Sequence, residues 1–335
     1  MKIIVDDKIP YIREALDSLP CEAIYLPGSA VTAKDVHDAD ALIVRTRTRC
    51  DKHLLEGSRV QFIATATIGY DHLDTGYLQQ AGINWTNCPG CNAGSVAQYL
   101  RSSLLLLQQE RGATLSGSTL GIVGVGHVGT LVRQVGQELG MRVLCCDPPR
   151  VEQGEKSFLP LETLMKESDI LTFHVPLVTG GNHPTLHMAD EQFFRALARK
   201  PIIINTSRGE VVDTKALTSA LEQGLIRDAI IDVWEHEPDI DLHLLDCVYL
   251  GTPHIAGYSA DGKANATRMV LEALCNHFHF PQKEFHITPP SLPPDTDTNN
   301  PLALYDPRRD SHALKVAPEK FEYLRGNYPL RREKI

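Results

Sequence analysis

Gly121-Ile122-Val123-Gly124-Val125-Gly126-His127-Val128-Gly129 decides how this chain is read. An apolar run that suits a strand becomes Gly-x-Gly-x-x-Gly, and the residues from Thr130 to Gly140 suit a helix. The three glycines have different tasks. Gly124 permits the tight turn, Gly126 lets a pyrophosphate approach the main chain, and Gly129 lets the helix lie close to the strand. The N–H groups that open the helix, at His127 and Val128, then face the phosphates. Asp147 closes the next apolar run, Arg142-Val143-Leu144-Cys145-Cys146, near the offset of about 20 residues at which a carboxylate meets the adenosine ribose. Strand, glycines, helix, strand and acid, in that order, read as a dinucleotide-binding unit. A glycine-rich structural turn would leave Asp147 as a coincidence.

The 335 residues allow two ordinary domains and a further segment, and 42% apolar residues suffice for real cores. A net charge of −9 with no basic stripe argues against a general nucleic-acid binder. No apolar run approaches a membrane-spanning length; Leu104 to Leu107 is the densest patch. Charges within Met1 to Asp7 argue against a signal peptide. Eight cysteines in a chain this long do not form a disulfide framework, so a reduced, cytoplasmic location is expected. Cys88-Pro89-Gly90-Cys91 reads as the lead-in to a helix from Gly94 to Gln109. It lacks a thioredoxin-like pattern for a redox pair and a second ligand pair for zinc, so no metal site is expected.

Strands are expected at Lys2 to Val5, Asp40 to Arg45 and Val60 to Thr65, with helical patches at Pro10 to Leu19, His53 to Gly57 and Asp71 to Ala81. This alternation predicts a parallel sheet covered by helices, and such sheets bind ligands beyond the C-terminal ends of their strands. Arg45-Thr46-Arg47-Thr48 and Thr65-Ala66-Thr67-Ile68-Gly69 stand at such ends. Arginines and hydroxyls there suit an anion such as phosphate; a solvated basic loop is the plainer alternative. From Leu120 the alternation restarts, with strands at 120–124, 142–146, 170–174, 201–205, 229–233 and 248–250 and helices at Leu161 to Glu167, Asp190 to Leu197 and Thr214 to Gln223. Six parallel strands make a complete doubly wound domain. Thr288 to Pro301 reads as a proline-rich linker. Pro318 to Ile335, with a helix from Glu319 to Arg325, is too short to bury a core. It must pack on the body, pack on another subunit, or stay loose.

Three groups at strand ends in the second half can carry chemistry. Arg208, in Asn205-Thr206-Ser207-Arg208-Gly209, can hold a carboxylate by two hydrogen bonds. Asp232-Val233-Trp234-Glu235-His236-Glu237-Pro238 closes a strand with three acids, which is costly unless they have partners. His254, in Thr252-Pro253-His254-Ile255-Ala256-Gly257, follows the last strand. A lone histidine is more often structural, but one that shares the ligand edge with two acids and an arginine suits alcohol oxidation. The base takes the hydroxyl proton, Glu237 orients the ring, and Arg208 holds the substrate carboxylate.

Together and in order, these motifs resemble the D-isomer-specific 2-hydroxyacid dehydrogenases. The resemblance implies two doubly wound parallel-sheet domains, a flavodoxin-like substrate domain and a Rossmann NAD domain, with a short C-terminal extension. It places the substrate domain at 1–94 and 257–285, the NAD domain at 95–256 and a linker with a shortened dimerisation segment at 286–335. The catalytic arginine, glutamate and histidine fall on Arg208, Glu237 and His254. NAD contacts fall on Gly124, Gly126, His127, Val128, Asp147, Val175, Asp232 and Gly257, where Val175 replaces a frequent threonine. Lys2-Ile-Ile-Val-Asp-Asp7, Thr65-Ala-Thr67-Ile-Gly-Tyr-Asp-His72 and Phe321-Glu-Tyr-Leu-Arg-Gly-Asn-Tyr-Pro-Leu-Arg-Arg332 are similar to one branch of the family. That branch implies a small phosphorylated 2-hydroxy acid touching Arg45, Thr46, Thr67 and Tyr258, and a homodimer. A phosphoglycerate- or glyoxylate-type enzyme and a dinucleotide sensor without turnover are the competing readings.

Overall fold

The computed structural model describes every residue except Gln282, Lys283, Pro293, Asp295, Lys334 and Ile335. Gln282 and Lys283 of the expected substrate domain, Pro293 and Asp295 of the expected linker, and the last two residues of the expected tail therefore lie outside the described residues. The chain folds as two parallel-sheet α/β units, Met1–Asn92 with Ser259–Leu292, and Ala93–Tyr258 with Pro293–Ile335.

The first unit holds β1 (Lys2–Asp6), β2 (Glu22–Leu26), β3 (Ala41–Val44), β4 (Phe62–Thr65) and β5 (Asn84–Thr86). They are parallel, in the order β2-β1-β3-β4-β5. Every residue of β3 and β4 is buried. Strands covered on both faces read as unbroken apolar runs, which is why the central strands are evident in the sequence. The edge strands β2 and β5 are half-buried or exposed along their length and give no such run. The helix Ala260–His277 covers the sheet, with Val270, Leu271 and Leu274 in one core with Ile3, Val5, Ile43 and Ala64. At its N-terminus Ser259 Oγ accepts from the Gly262 N–H at 2.8 Å.

The second unit holds β6 (Thr119–Val123), β7 (Arg142–Cys146), β8 (Ile170–Phe173), β9 (Ile202–Asn205), β10 (Asp228–Ile231) and β11 (Leu250–Gly251). The order is β11-β10-β9-β8-β6-β7, all parallel. Outside β7, the Leu159 N–H donates to the Cys145 carbonyl at 2.8 Å. That bond marks the place of the third strand in the usual Rossmann order. The strand order reverses between β6 and β8, so the ligand edge centres on the loops after these strands.

The tail belongs to this second unit. Asp306 caps the helix Pro307–Val316, with proline at its first position, a start signal present in the sequence. Ser311 of this helix accepts from the Gly251 N–H at 3.1 Å, so the exposed side of β11 is covered. Tyr305 lies in one core cluster and Leu314 and Phe321 in the other. Arg331 is only 4% exposed. Its guanidinium stacks 3.6 Å from the Tyr305 ring centroid and donates to Gln98 Oε1 (2.8 Å), the Ser95 carbonyl (2.5 Å) and the Ile255 carbonyl (3.3 Å). The tail thus packs on its own unit.

Candidate functional site

The nucleotide edge begins at the glycines. Gly124 has φ +87, and a Cβ there would lie 2.5 Å from the His174 carbonyl oxygen and 2.7 Å from Val175 Cγ1. A Cβ on Gly129 would strike the Gly124 carbonyl. At Gly126 a Cβ would meet nothing within 4 Å, and the residue is exposed. Two glycines are therefore required by the protein itself, and the third leaves open space in front of a helix N-terminus. Gly126 is the N-cap of the helix His127–Glu138 and gives it no side-chain cap. The first-turn N–H groups at His127 and Val128 remain available for an anion. Asp147 follows β7 directly and accepts from the Val125 N–H at 2.8 Å and the Arg150 N–H at 3.3 Å. These residues fit a dinucleotide: an open phosphate cradle with a carboxylate at the end of the neighbouring strand. Val175 lies half-buried beside Gly124.

The second cluster is built on the loops after β9, β10 and β11. Asp232, 1% exposed, accepts from Thr252 Oγ1 (2.6 Å) and the backbone N–H groups of Ile255 (2.8 Å) and Ala256 (2.9 Å). Burial pushes its carboxyl above the usual range, and His254 and these donors oppose that shift. The His254 N–H in turn donates to the Asp232 carbonyl at 2.7 Å. His254 is thus clamped in the left-handed region at φ 56, a conformation that costs about 1–3 kcal/mol outside glycine. Its Nδ1 lies 2.7 Å from Glu237 Oε2. An ionised carboxylate only accepts, so Nδ1 carries the proton and Nε2 keeps its lone pair. Glu237 Oε1 accepts from the Trp234 N–H at 3.0 Å. Burial works against the charge of Glu237, but the bond to His254 and its neighbours hold the carboxyl below its usual value.

Arg208 leaves β9 through a loop stiffened by Asn205, whose side chain accepts from Ser207 Oγ (2.8 Å) and donates to the Arg208 carbonyl (2.8 Å). The Arg208 guanidinium donates to the Ser207 carbonyl at 2.7 Å. A Cβ on Gly209 would collide with the Trp234 carbonyl and the Glu235 nitrogen. The arginine loop is therefore pressed against the backbone of the loop that carries Glu237. Gly257 and Tyr258 follow, both half-buried, and Tyr258 Oη accepts from Arg325 Nε at 3.0 Å. Arg325, and His187, whose Nε2 lies 2.7 Å from Glu235 Oε1, make contacts here that the sequence reading missed. Arg325 lies within the Phe321 to Arg332 stretch singled out above. His187 carries no local signal.

In the first unit, Arg45 Nη2 is 3.3 Å from Asp6 Oδ1. Thr46 is exposed in the turn after β3. Thr67 Oγ1 donates to the Gly69 carbonyl at 2.8 Å and lies 2.7 Å from Thr65 Oγ1. Lys263, at the start of the helix Ala260–His277, has its ammonium pushed down by burial and by the charge of Arg45. Cys88 is buried against the Thr65 and Ala266 carbonyls, and burial pushes its thiol up, the opposite of a redox cysteine.

Residues 94–256 match the family model described as the D-isomer specific 2-hydroxyacid dehydrogenase NAD-binding domain. An erythronate-4-phosphate dehydrogenase of Bacteroides fragilis is 58% identical over 99% of this chain and 97% of that one. One of Porphyromonas gingivalis is 43% identical over 99% of this chain and 94% of the relative. Among solved structures, a D-lactate dehydrogenase of Aquifex aeolicus, complexed with NAD and lactic acid, superposes with a TM-score of 0.68. It shares 26% identity over 87% of this chain and all of that one.

Proposed function

The chain belongs to the D-isomer-specific 2-hydroxyacid dehydrogenases, in the branch of the erythronate-4-phosphate dehydrogenases, and from this premise we propose its reaction and the parts its residues play. It is an NAD-dependent oxidoreductase. It oxidises 4-phospho-D-erythronate to (R)-3-hydroxy-2-oxo-4-phosphooxybutanoate, a step in pyridoxal 5'-phosphate synthesis. The observation that carries the chemistry is the 2.7 Å bond between His254 Nδ1 and Glu237, which leaves Nε2 as a base.

Arg208 holds the substrate carboxylate and polarises the oxygen that becomes the carbonyl. His254 Nε2 takes the proton of the C2 hydroxyl as the C–O double bond forms, and Glu237 stabilises the imidazolium. NAD, when bound, would supply the acceptor for the hydride that leaves C2. Gly126, His127 and Val128 would hold the pyrophosphate and Asp147 the ribose, with further contacts from Gly124, Val175, Asp232 and Gly257. Arg45, Thr46 and Thr67 bind the phosphorylated end of the substrate, with Tyr258. The working protein is a cytoplasmic homodimer; its eight cysteines are all free thiols, and among the described residues no helix is long and apolar enough to cross a membrane.

NADH formation with NAD and 4-phosphoerythronate, 3-phosphoglycerate or glycerate tests this assignment. A large preference for the four-carbon phosphate is expected. Preference for either three-carbon acid would move the chain to another branch of the family, and no NADH with any of them would favour a sensor. Arg45→Ala should penalise the phosphorylated acids alone; equal losses with glycerate would remove Arg45 as a phosphate ligand.

A further inference from the structure

Nothing in the reaction just described uses the C-terminal tail, yet the tail reaches the acid–base pair. The helix Phe321–Gly326 is anchored by Phe321, which is 1% exposed in a core of the second unit. One turn later Arg325 turns inward, its side chain 23% exposed. Its Nη1 lies 3.6 Å from Glu237 Oε2, the same oxygen that bonds His254 Nδ1 at 2.7 Å. Its Nε donates to Tyr258 Oη at 3.0 Å. From the same tail, Arg331 holds the carbonyl of Ile255, the residue after His254. One short segment therefore grips the Glu237 side and the His254 side of the pair.

We propose that Arg325 is a positioning residue for the oxidation, holding Glu237 in place against His254 and opposing the positive charge that the pair gains when His254 takes the proton. The inference rests on the reading of His254 as the proton acceptor. The argument is electrostatic. The pair becomes Glu⁻ with imidazolium during the reaction, and a fixed guanidinium beside it opposes the added positive charge. It also supplies a second partner to Glu237 Oε2, while Oε1 is held by the Trp234 N–H, and the two together fix the carboxylate and with it the ring. Asp232 and Glu237 face His254, while Tyr258, Glu237 and Glu322, the last at 3.9 Å, face Arg325.

The test is the pH profile of kcat/KM for oxidation of 4-phosphoerythronate by the full chain with NAD. Arg325→Gln should move the acidic limb to higher pH by about half a unit to one unit and lower kcat/KM about tenfold at neutral pH. Arg325→Lys, which keeps the charge, should restore the position of the limb. Glu322→Gln keeps the guanidinium and removes a competing carboxylate, so the limb should shift by a few tenths of a unit the other way, roughly as expected for one partly exposed charge. This second variant carries the test if Arg325→Gln does not fold. Glu237→Gln should move the limb down, opposite to Arg325→Gln. Limbs unmoved in the Arg325 and Glu322 variants, or Arg325→Gln shifting in the direction of Glu237→Gln, would overturn the inference. A wild-type enzyme that does not oxidise 4-phosphoerythronate would instead overturn the reading beneath it.

Discussion

One loop, Asp232 to Pro238, holds two histidine–glutamate pairs of equal length. Glu237 Oε2 is 2.7 Å from His254 Nδ1, and Glu235 Oε1 is 2.7 Å from His187 Nε2. Both histidines have positive φ, 56 and 48. The difference lies in what surrounds them. Glu235 Oε2 accepts from the Thr214 N–H at 2.9 Å, beside the start of the helix Thr214–Glu222, and Asp213 stands 3.5 Å from the same imidazole. With both nitrogens next to carboxylates and 41% of the side chain exposed, His187 is a bolt between surface loops. His254 presents one nitrogen to a carboxylate and stands on backbone clamped by a buried aspartate. A histidine–carboxylate distance alone therefore does not identify an acid–base pair. The second nitrogen and the rigidity of the loop do.

That contrast can be broken at either pair. His254→Gln should lower turnover by about 10³-fold or more while NAD binding measured by fluorescence is kept, as for loss of a general base. His187→Gln should change kcat less than about threefold, in the absence of any transition-state contact. If the two losses were equal, the functional difference between the pairs would vanish. Gly209→Ala comes next, because its Cβ collides with the Trp234 carbonyl. A loss of about 3 kcal/mol in unfolding stability is expected, as for overpacking against backbone that cannot yield. An unchanged melting temperature would mean that the two loops do not bear on each other. Glu237→Gln should cost about 10- to 100-fold in kcat, whereas Glu235→Gln should leave kcat alone and reduce stability by about 1–2 kcal/mol through the lost bonds to Thr214 and His187.

The smallest effect concerns pH. The bond to Glu235, against a smaller opposing effect of burial, raises the proton affinity of His187 above the usual 6.5. A raised histidine contributes stability that is fully present below 6.5 and is lost as pH climbs through its folded value. The side chain is well exposed, so the contribution is below about 1 kcal/mol. Melting of His187→Gln beside the wild type should show a gap at pH 5.5 that closes by pH 9. A gap that widened with pH would reverse the sign.

The same division explains what could be read in advance. The central strands β3, β4, β6, β8 and β9 are buried on both faces and announce themselves as apolar runs. The glycine loop was legible because its glycines answer to local geometry. Arg208, Glu237 and His254 follow their strands within a few residues, so the alternation locates them. Edge strands β2 and β5 were not legible, since β2 is fully buried nowhere along its length and β5 is only three residues long, whereas edge strand β7 ends in buried Cys145 and Cys146. Neither was His187, whose partner is 48 positions away. The packing of Val175 against Gly124 and of Cys88 against two carbonyls emerges only when the strands are assembled.

Arg331 gives the tail a consequence in time. The nucleotide unit starts at Ala93, is interrupted after Tyr258, and is resumed after the chain has made a helix for the other unit. Tyr305, Leu314, Phe321 and Arg331 all enter its interior afterwards. A chain made from its N-terminus can therefore complete the cradle for NAD early, yet the backbone carrying His254 gains the support at the Ile255 carbonyl only once Arg331, 76 positions later, has been made. Cofactor binding and catalytic competence would then be acquired in sequence, the second waiting on Arg331.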